Sequence, residues 1–176
     1  MRARCALSCC VLLGLFATAG AADDKPNVLK VDGQFAISAP EGFAWKQTGD
    51  SLAGREASQF VASKEGAKGR IFLAVAPMVI EGDDKRLSNI KSYHKGIVAG
   101  VPAMGMTLVN ADIPSFAPPI PARVDIPIVM KNSDGDTVVV HAILVFGAKS
   151  TFYLQVADFP GAEEDALVKA TESLAE

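Results

Sequence analysis

Three successive strand patterns joined by short turns constrain the fold more than any other feature of the sequence. Residues typical of β-strands dominate 123–131, 137–146 and 151–157. The turn at 132–136 contains an Asp-Gly step that can take the positive φ of a hairpin, and 147–150 is equally short. Connections of this length join antiparallel strands, because parallel strands need a long crossover. The three strands are therefore predicted to form an antiparallel sheet.

The remaining patterns predict more strands and two helices. Further strands are expected at 35–39, 56–63, 70–76 and 106–113. Apolar residues at spacings of three and four predict an amphipathic helix from Asp83 to Val101, and a closing helix is expected at 162–175. Runs of strands separated by single helices predict one α+β domain, an antiparallel β-sheet flanked by helices.

The first 21 residues are predicted to be an export signal. A positive start is followed by an apolar run from Cys5 to Phe16, and small residues continue to Ala22. The alternative, an uncleaved anchor, needs a longer run to span a bilayer. We expect cleavage after residue 21, a flexible mature N terminus at 22–27 and a single domain at 28–176. The expected location is a bacterial periplasm or the medium outside the cell.

Cysteine positions and charge exclude several classes of function. Cys5, Cys9 and Cys10 all fall in the signal segment, so the mature chain has no disulfide and no thiolate chemistry. The net charge is −3, and removal of Arg2 and Arg4 makes the chain more acidic. A mildly acidic protein has no electrostatic reason to bind nucleic acid or an anionic membrane surface. We therefore expect neither partner, and no stable membrane insertion.

Two histidines are the candidates for acid–base chemistry. His94 falls on the apolar stripe of the predicted helix, which favours a packed imidazole held by a hydrogen bond. His141 lies in a strand, on the face shared with Val139 and Ile143. Neither has a metal-ligand spacing or a carboxylate cluster near it in sequence, and no nucleophile motif or phosphate-binding glycine loop is present. We expect no catalytic residue, metal or cofactor, and a protein that is not an enzyme.

Local structure explains two acidic segments and one unusual proline. Residues 132–136 alternate oxygen-bearing side chains as a calcium loop does, but the glycine comes too early and the closing glutamate is missing, so a hairpin turn is favoured. The acidic residues at 163–165 suit the first turn of a helix. Pro127 cannot donate to a ladder, so its strand is expected to bulge or to lie at an edge there.

The segment 113–121 has the most unusual composition, since it holds four of the chain's 10 prolines. Such a segment is extended and non-helical. One interpretation is a stiff crossover between two strands. The other is a preordered docking loop in which an exposed Phe116, with Pro118 and Pro119, contacts a partner at low entropic cost.

The segment 33–45 resembles the opening strand and the P-x-G-W turn of PsbP-like and DcrB-like domains. Here Phe43 stands where that family commonly has Trp, and Trp45 follows two places later. A hairpin, a long helix, the Pro121-Ala122-Arg123 entry to paired strands and a closing helix continue the resemblance over about residues 28 to 175. The resemblance implies an antiparallel sheet between helices, an exported location and a mostly non-enzymatic role as an accessory or binding subunit. It assigns no site residue.

Three functions follow from these observations. The leading one is an exported, non-catalytic accessory or binding protein of the cell envelope that acts through contacts with another envelope protein. The second is a carrier of a small apolar ligand, which requires an open apolar cleft lined by Phe43, Trp45 and Ile97. The third is a hydrolase, which requires titratable groups converging on His94 or His141.

Overall fold

The computed structural model describes residues 27–31, 34–52, 55–158 and 163–175. The elements in chain order are β1 (Val28–Val31), β2 (Phe35–Ser38), β3 (Ala44–Leu52), β4 (Arg55–Ser63), β5 (Arg70–Ala76), α1 (Asp83–Gly100), β6 (Thr107–Asn110), β7 (Arg123–Lys131), β8 (Thr137–Phe146), β9 (Thr151–Ala157) and α2 (Glu164–Ala170). Seven strands form one antiparallel sheet in the order β3-β4-β5-β9-β8-β7-β6, and β1 pairs with β2 in a separate hairpin. The chain is therefore a single α+β domain built on an antiparallel sheet.

Each face of the large sheet packs against its own layer. Helix α1 buries Ile90, Tyr93 and Ile97 against the side chains on one face of β7, β8 and β9. On the opposite face, the β1–β2 hairpin and Leu167 of α2 pack over β4, β5 and β9. Alternate residues along each strand point to opposite faces, so the sheet separates two apolar cores.

The β7–β8 hairpin forms as predicted. The Oδ1 atom of Asn132 accepts hydrogen bonds from the backbone N–H groups of Asp134, at 3.0 Å, and Asp136, at 2.8 Å. Gly135 has a φ of 87°, in the left-handed region that favours glycine. Asn132, whose side chain would be the first ligand of a calcium loop, thus stabilises the hairpin turn.

Most of the predicted elements are present, and the differences have local causes. Helix α1 and the β4–β5 hairpin are confirmed. The strand expected at 106–113 ends at Asn110, because its register with β7 shifts after Leu108 and the proline-rich segment begins soon after. The closing helix is shorter than predicted: α2 ends at Ala170 and continues as a 3₁₀ turn over Thr171–Ser173.

Pro127 lies at an open edge, which was one of its two predicted settings. It pairs in register with His141 on β8, so β7 has no bulge there. Strand β6 reaches only as far as Val129 along β7, and Pro127 lies beyond that last partner. Its missing N–H therefore costs no ladder hydrogen bond.

The predicted signal segment and residues 22–26 lie outside the described residues. Among the residues that the structure describes, no helix is both long and apolar enough to cross a bilayer.

Gly69 provides a test of how tightly α2 packs on the sheet. A Cβ atom at this position would lie 2.7 Å from Cδ1 of Leu167, which is fully buried. We expect Gly69→Ala to lower the free energy of unfolding by about 1–3 kcal/mol through overpacking, measured by urea denaturation.

Gly100→Ala is the matched control, because a Cβ atom there meets nothing within 4 Å in the last turn of α1. This change is expected to be neutral or to stabilise by up to about 1 kcal/mol, as alanine favours helix. Equal effects of the two substitutions would contradict the close packing of Leu167 on Gly69.

Candidate functional site

Arg86 on α1 brings two connecting segments together. Its Nε donates to the carbonyl oxygen of Ile80 at 3.3 Å, and Nη1 donates to the carbonyl oxygen of Ile120 at 3.0 Å. The guanidinium carbon lies 5.2 Å from the ring centroid of Phe146, a cation–π distance. Asp83 completes the arrangement by accepting the N–H of Ile120 at 2.9 Å. The β5–α1 connection and the end of the proline-rich segment are thereby fixed side by side.

The two anchored segments expose apolar side chains. Met78 and Val79 are 40% and 45% exposed, and they directly precede the buried isoleucine that Arg86 holds on the first segment. Pro118 and Pro119 are exposed directly before the buried isoleucine of the second segment. We call Met78, Val79, Pro118 and Pro119 the apolar patch.

The backbone of the apolar patch is also fixed at Met78, by two hydrogen bonds. The hydroxyl of Thr151, which is fully buried, donates to the carbonyl oxygen of Met78 at 2.8 Å. The Met78 N–H donates to the carbonyl oxygen of Ala76 at 2.7 Å. A surface whose backbone is already ordered loses little conformational entropy when a partner binds.

A second exposed apolar pair lies at the other end of β7. Leu108 and Val109 of β6 are 40% and 53% exposed, and Leu108 pairs with Met130. The apolar patch lies instead near Arg123, where β7 begins. The apolar patch and the Leu108–Val109 pair are separate surfaces of similar chemistry. Substitutions in one can therefore serve as a control for substitutions in the other.

The expectation of an exposed Phe116 needs correction. Its side chain is only partly exposed and packs against the core on the α1 face. Phe116 thus holds the proline-rich segment onto the domain, because burial of an aromatic ring removes a large apolar area from water. Pro118 and Pro119, predicted with it, are exposed. Partner binding by these residues stays a prediction.

The structure surrounds His141 with two carboxylates that sequence reasoning missed. Its Nδ1 lies 3.0 Å from Oδ2 and 3.1 Å from Oδ1 of Asp125, on the neighbouring strand β7. Its Nε2 lies 2.9 Å from Oε1 of Glu164, in the first turn of α2. The side chain of His141 is 18% exposed. One ring therefore connects the sheet to the helix.

Both ring nitrogens of His141 are occupied, which restricts its chemistry. The hydrogen bond to Asp125 raises the pKa of His141, burial opposes that effect, and the hydrogen bond to Glu164 adds to it, so that the pKa is about 8 instead of 6.5. Near pH 7 the ring is mostly an imidazolium that donates from both nitrogens. Such a ring has no lone pair with which to abstract a proton, so its contacts favour an ion triad over a general base.

His94 and His141 do not form a joint site. His94 is half-buried on α1, as predicted, but its Nε2 is buried with no hydrogen-bond partner among the described residues. The hydrogen bond expected for His94 is therefore absent at that atom. In the part of the chain that the structure describes, no three His, Cys, Asp or Glu side chains are arranged so that they could hold a metal ion together.

The apolar cleft required for a ligand carrier is not formed by the expected residues. Phe43 and Trp45 belong to the core on the α2 face, whereas Ile97 belongs to the core on the α1 face, and all three are buried. These three residues do not line one cleft, because the sheet separates them. A surface cavity of about 430 Å³ has a largely charged lining of Lys64, Glu65, Gly66, Ala67, Lys68, Asp158 and Glu163.

Comparison with protein-family models and with curated proteins finds no match to this chain. The resemblance to PsbP-like and DcrB-like domains therefore stays a prediction that rests on the residues given above.

Arg86 is expected to determine the stability of the apolar patch. Arg86→Met keeps an apolar stem but removes the donors to the Ile80 and Ile120 carbonyl oxygens. We expect a loss of about 2–3 kcal/mol in the free energy of unfolding, since hydrogen bonds from charged donors are among the stronger ones. Urea denaturation measures the loss, and limited proteolysis should cut the 111–122 segment faster.

Lys85→Met is the control for this prediction. Lys85 is exposed on the same turn of α1, so the substitution removes an equal charge and should change stability by less than about 0.5 kcal/mol. If the Lys85 and Arg86 variants are equally stable and equally resistant to protease, Arg86 does not anchor the two segments.

Proposed function

We propose that this chain is an exported, non-catalytic accessory or binding protein of the cell envelope, which acts through contacts with another protein. The apolar patch carries the proposal. Its exposed residues lie on two segments that Arg86 holds together, and Thr151 supports one of them from the core. Exposed apolar groups on a fixed backbone are typical of a protein-binding surface.

The composition of the apolar patch suits a protein partner. Met78 offers a flexible, polarisable side chain that adapts to an apolar surface. Pro118 and Pro119 have no backbone N–H, so a partner can cover them without leaving a donor unpaired. An apolar centre of this kind contributes most of the binding energy in many interfaces, while charged residues at the rim contribute less.

The layer arrangement supports a finer proposal about the fold. Helix α1 covers one face of the antiparallel sheet, and α2 with the β1–β2 hairpin covers the other. We propose on this basis that the domain is a PsbP-like α/β/α sandwich. In that resemblance the role is mostly that of an accessory subunit, which agrees with the proposed function.

A charge substitution in the apolar patch tests the proposal. Met78→Asp combined with Val79→Asp places two charges where an apolar partner surface would lie. We expect partner binding to weaken at least tenfold, since burying unpaired charge in an interface costs more than about 1.4 kcal/mol. The measurement is photo-crosslinking in living cells from a reactive residue at position 118, followed by quantification of the crosslinked species.

Leu108→Asp combined with Val109→Asp is the matched control, because it makes the same change on the separate apolar pair of β6. This variant should keep the crosslink. Both variants should unfold at the urea concentration of the unsubstituted protein. No crosslink from position 118, or equal loss in both variants, would contradict a partner-binding role for the apolar patch.

The export part of the proposal has its own test. Arg2, the apolar run to Phe16 and the small residues that follow predict cleavage by signal peptidase. N-terminal sequencing of protein recovered from the cell envelope should begin at Ala22. Recovery of the chain with Met1 still attached would overturn the proposed export.

A further inference from the structure

We propose that His141 is a proton-operated clasp that fixes the amino-terminal end of α2 to the sheet. The imidazole contacts Asp125 on β7 through Nδ1 and Glu164 on α2 through Nε2, at 3.0 Å and 2.9 Å. Glu164 is the first residue of α2, so the contact holds the helix where it begins. A neutral imidazole carries one N–H and can donate to only one of the two carboxylates.

The other end of the same segment is held by a group that does not titrate. Arg123 donates from Nη1 to the carbonyl oxygen of Thr171 at 3.1 Å, and from Nη2 to its Oγ1 at 2.7 Å. Thr171 directly follows α2. Since arginine stays charged at every pH at which the protein is folded, proton control applies to one end of α2 only.

Neighbouring charges do not replace the two carboxylates. The elements around His141 carry further charged groups: Arg123 of β7, Glu163 directly before α2, and Asp158 directly after β9. Arg123 binds Thr171, as described above. The carboxylate of Asp158 accepts the backbone N–H of Glu163, and the Glu163 carboxylate lies 3.6 Å from Nζ of Lys64. Each of these three charged groups is engaged with a partner other than Asp125 or Glu164. We therefore assign the link between those two carboxylates to His141.

The direction of the pH effect follows from the raised pKa. A group whose pKa is higher in the closed state than in the open state stabilises the closed state most at low pH. Opening of α2 breaks the contact with Glu164, which raises the pKa of His141, while Asp125 stays beside the ring on the sheet. The stabilisation that Glu164 supplies is therefore lost as the pH rises through the closed-state pKa of about 8. Linkage then predicts that the local opening constant of α2 increases between about pH 6 and about pH 9, by less than the roughly 20-fold that loss of both carboxylates would give.

Hydrogen exchange of α2 in the mature protein tests the clasp. The intrinsic exchange rate of amides rises with pH, so the labelling pulse is shortened in proportion at each higher pH. Protection factors are then measured for the amides of Leu167 and Val168. We expect these factors to fall measurably from pH 6 to pH 9, by less than about 20-fold, while those of the central strands β8 and β9 stay constant. A fall of equal size throughout the sheet, or no fall in α2, would overturn the proposal.

Two substitutions assign the effect to the clasp. His141→Gln keeps a hydrogen-bonding side chain that cannot be protonated, and it should abolish the pH dependence of α2 protection. Asp165→Asn removes one negative charge from the same turn of α2, where the residue is exposed, and should leave the pH dependence intact. Persistence of the pH dependence in the His141 variant would refute the clasp.

A measurement on the unsubstituted protein covers the case in which the His141 variant does not fold. The ring protons of His141 are followed by NMR over the same pH range. Their titration midpoint should coincide with the midpoint for loss of α2 protection, near pH 8. Midpoints that differ by more than one pH unit would show that another group controls α2.

Discussion

Burial of both faces of the central strands is the constraint on which the rest of the structure depends. Ala142, Ile143 and Leu144 are consecutive in β8, and all three are fully buried. Because neighbouring residues of a strand point to opposite sides, β8 needs an apolar layer on each side of the sheet. Helix α1 supplies one layer, and α2 with the β1–β2 hairpin supplies the other. The ion triad of His141 lies beside the second layer, where a charged ring requires partners.

Sequence patterns predicted the elements whose residues alternate regularly or follow a helical period. They failed for β3, because this edge strand has a polar sequence and two register shifts, so its alternation is interrupted. They also failed for β1, a strand of only four residues. Helix α1 and the β7–β8 hairpin were predictable because each depends on contacts between residues close in sequence.

The candidate sites were harder to predict, since they join segments far apart in the chain. The turn at 132–136 fixes the register of its hairpin, and that register places Asp125 diagonally next to His141. The contact between Asp125 and His141 could therefore have been predicted from the sequence. The contact between Glu164 and His141 could not, because the position of α2 depends on how the helix packs on the core. The apolar patch was predicted in part, through Pro118 and Pro119. Met78 and Val79 were missed, because the two connections meet through the hydrogen bonds of Arg86 to Ile80 and to the distant Ile120.

The irregular edges of the large sheet affect how the chain behaves when many copies are crowded together. An edge that is long and flat invites the strand of another molecule to continue the sheet, which is how fibrils grow. Strand β3 is interrupted by register shifts around Gly49, and β6 is short, with a shift between Leu108 and Asn110. Pro127 blocks the stretch of β7 that β6 leaves open, since it has no N–H to offer. The domain can therefore display apolar side chains while its backbone offers a poor template for fibril growth.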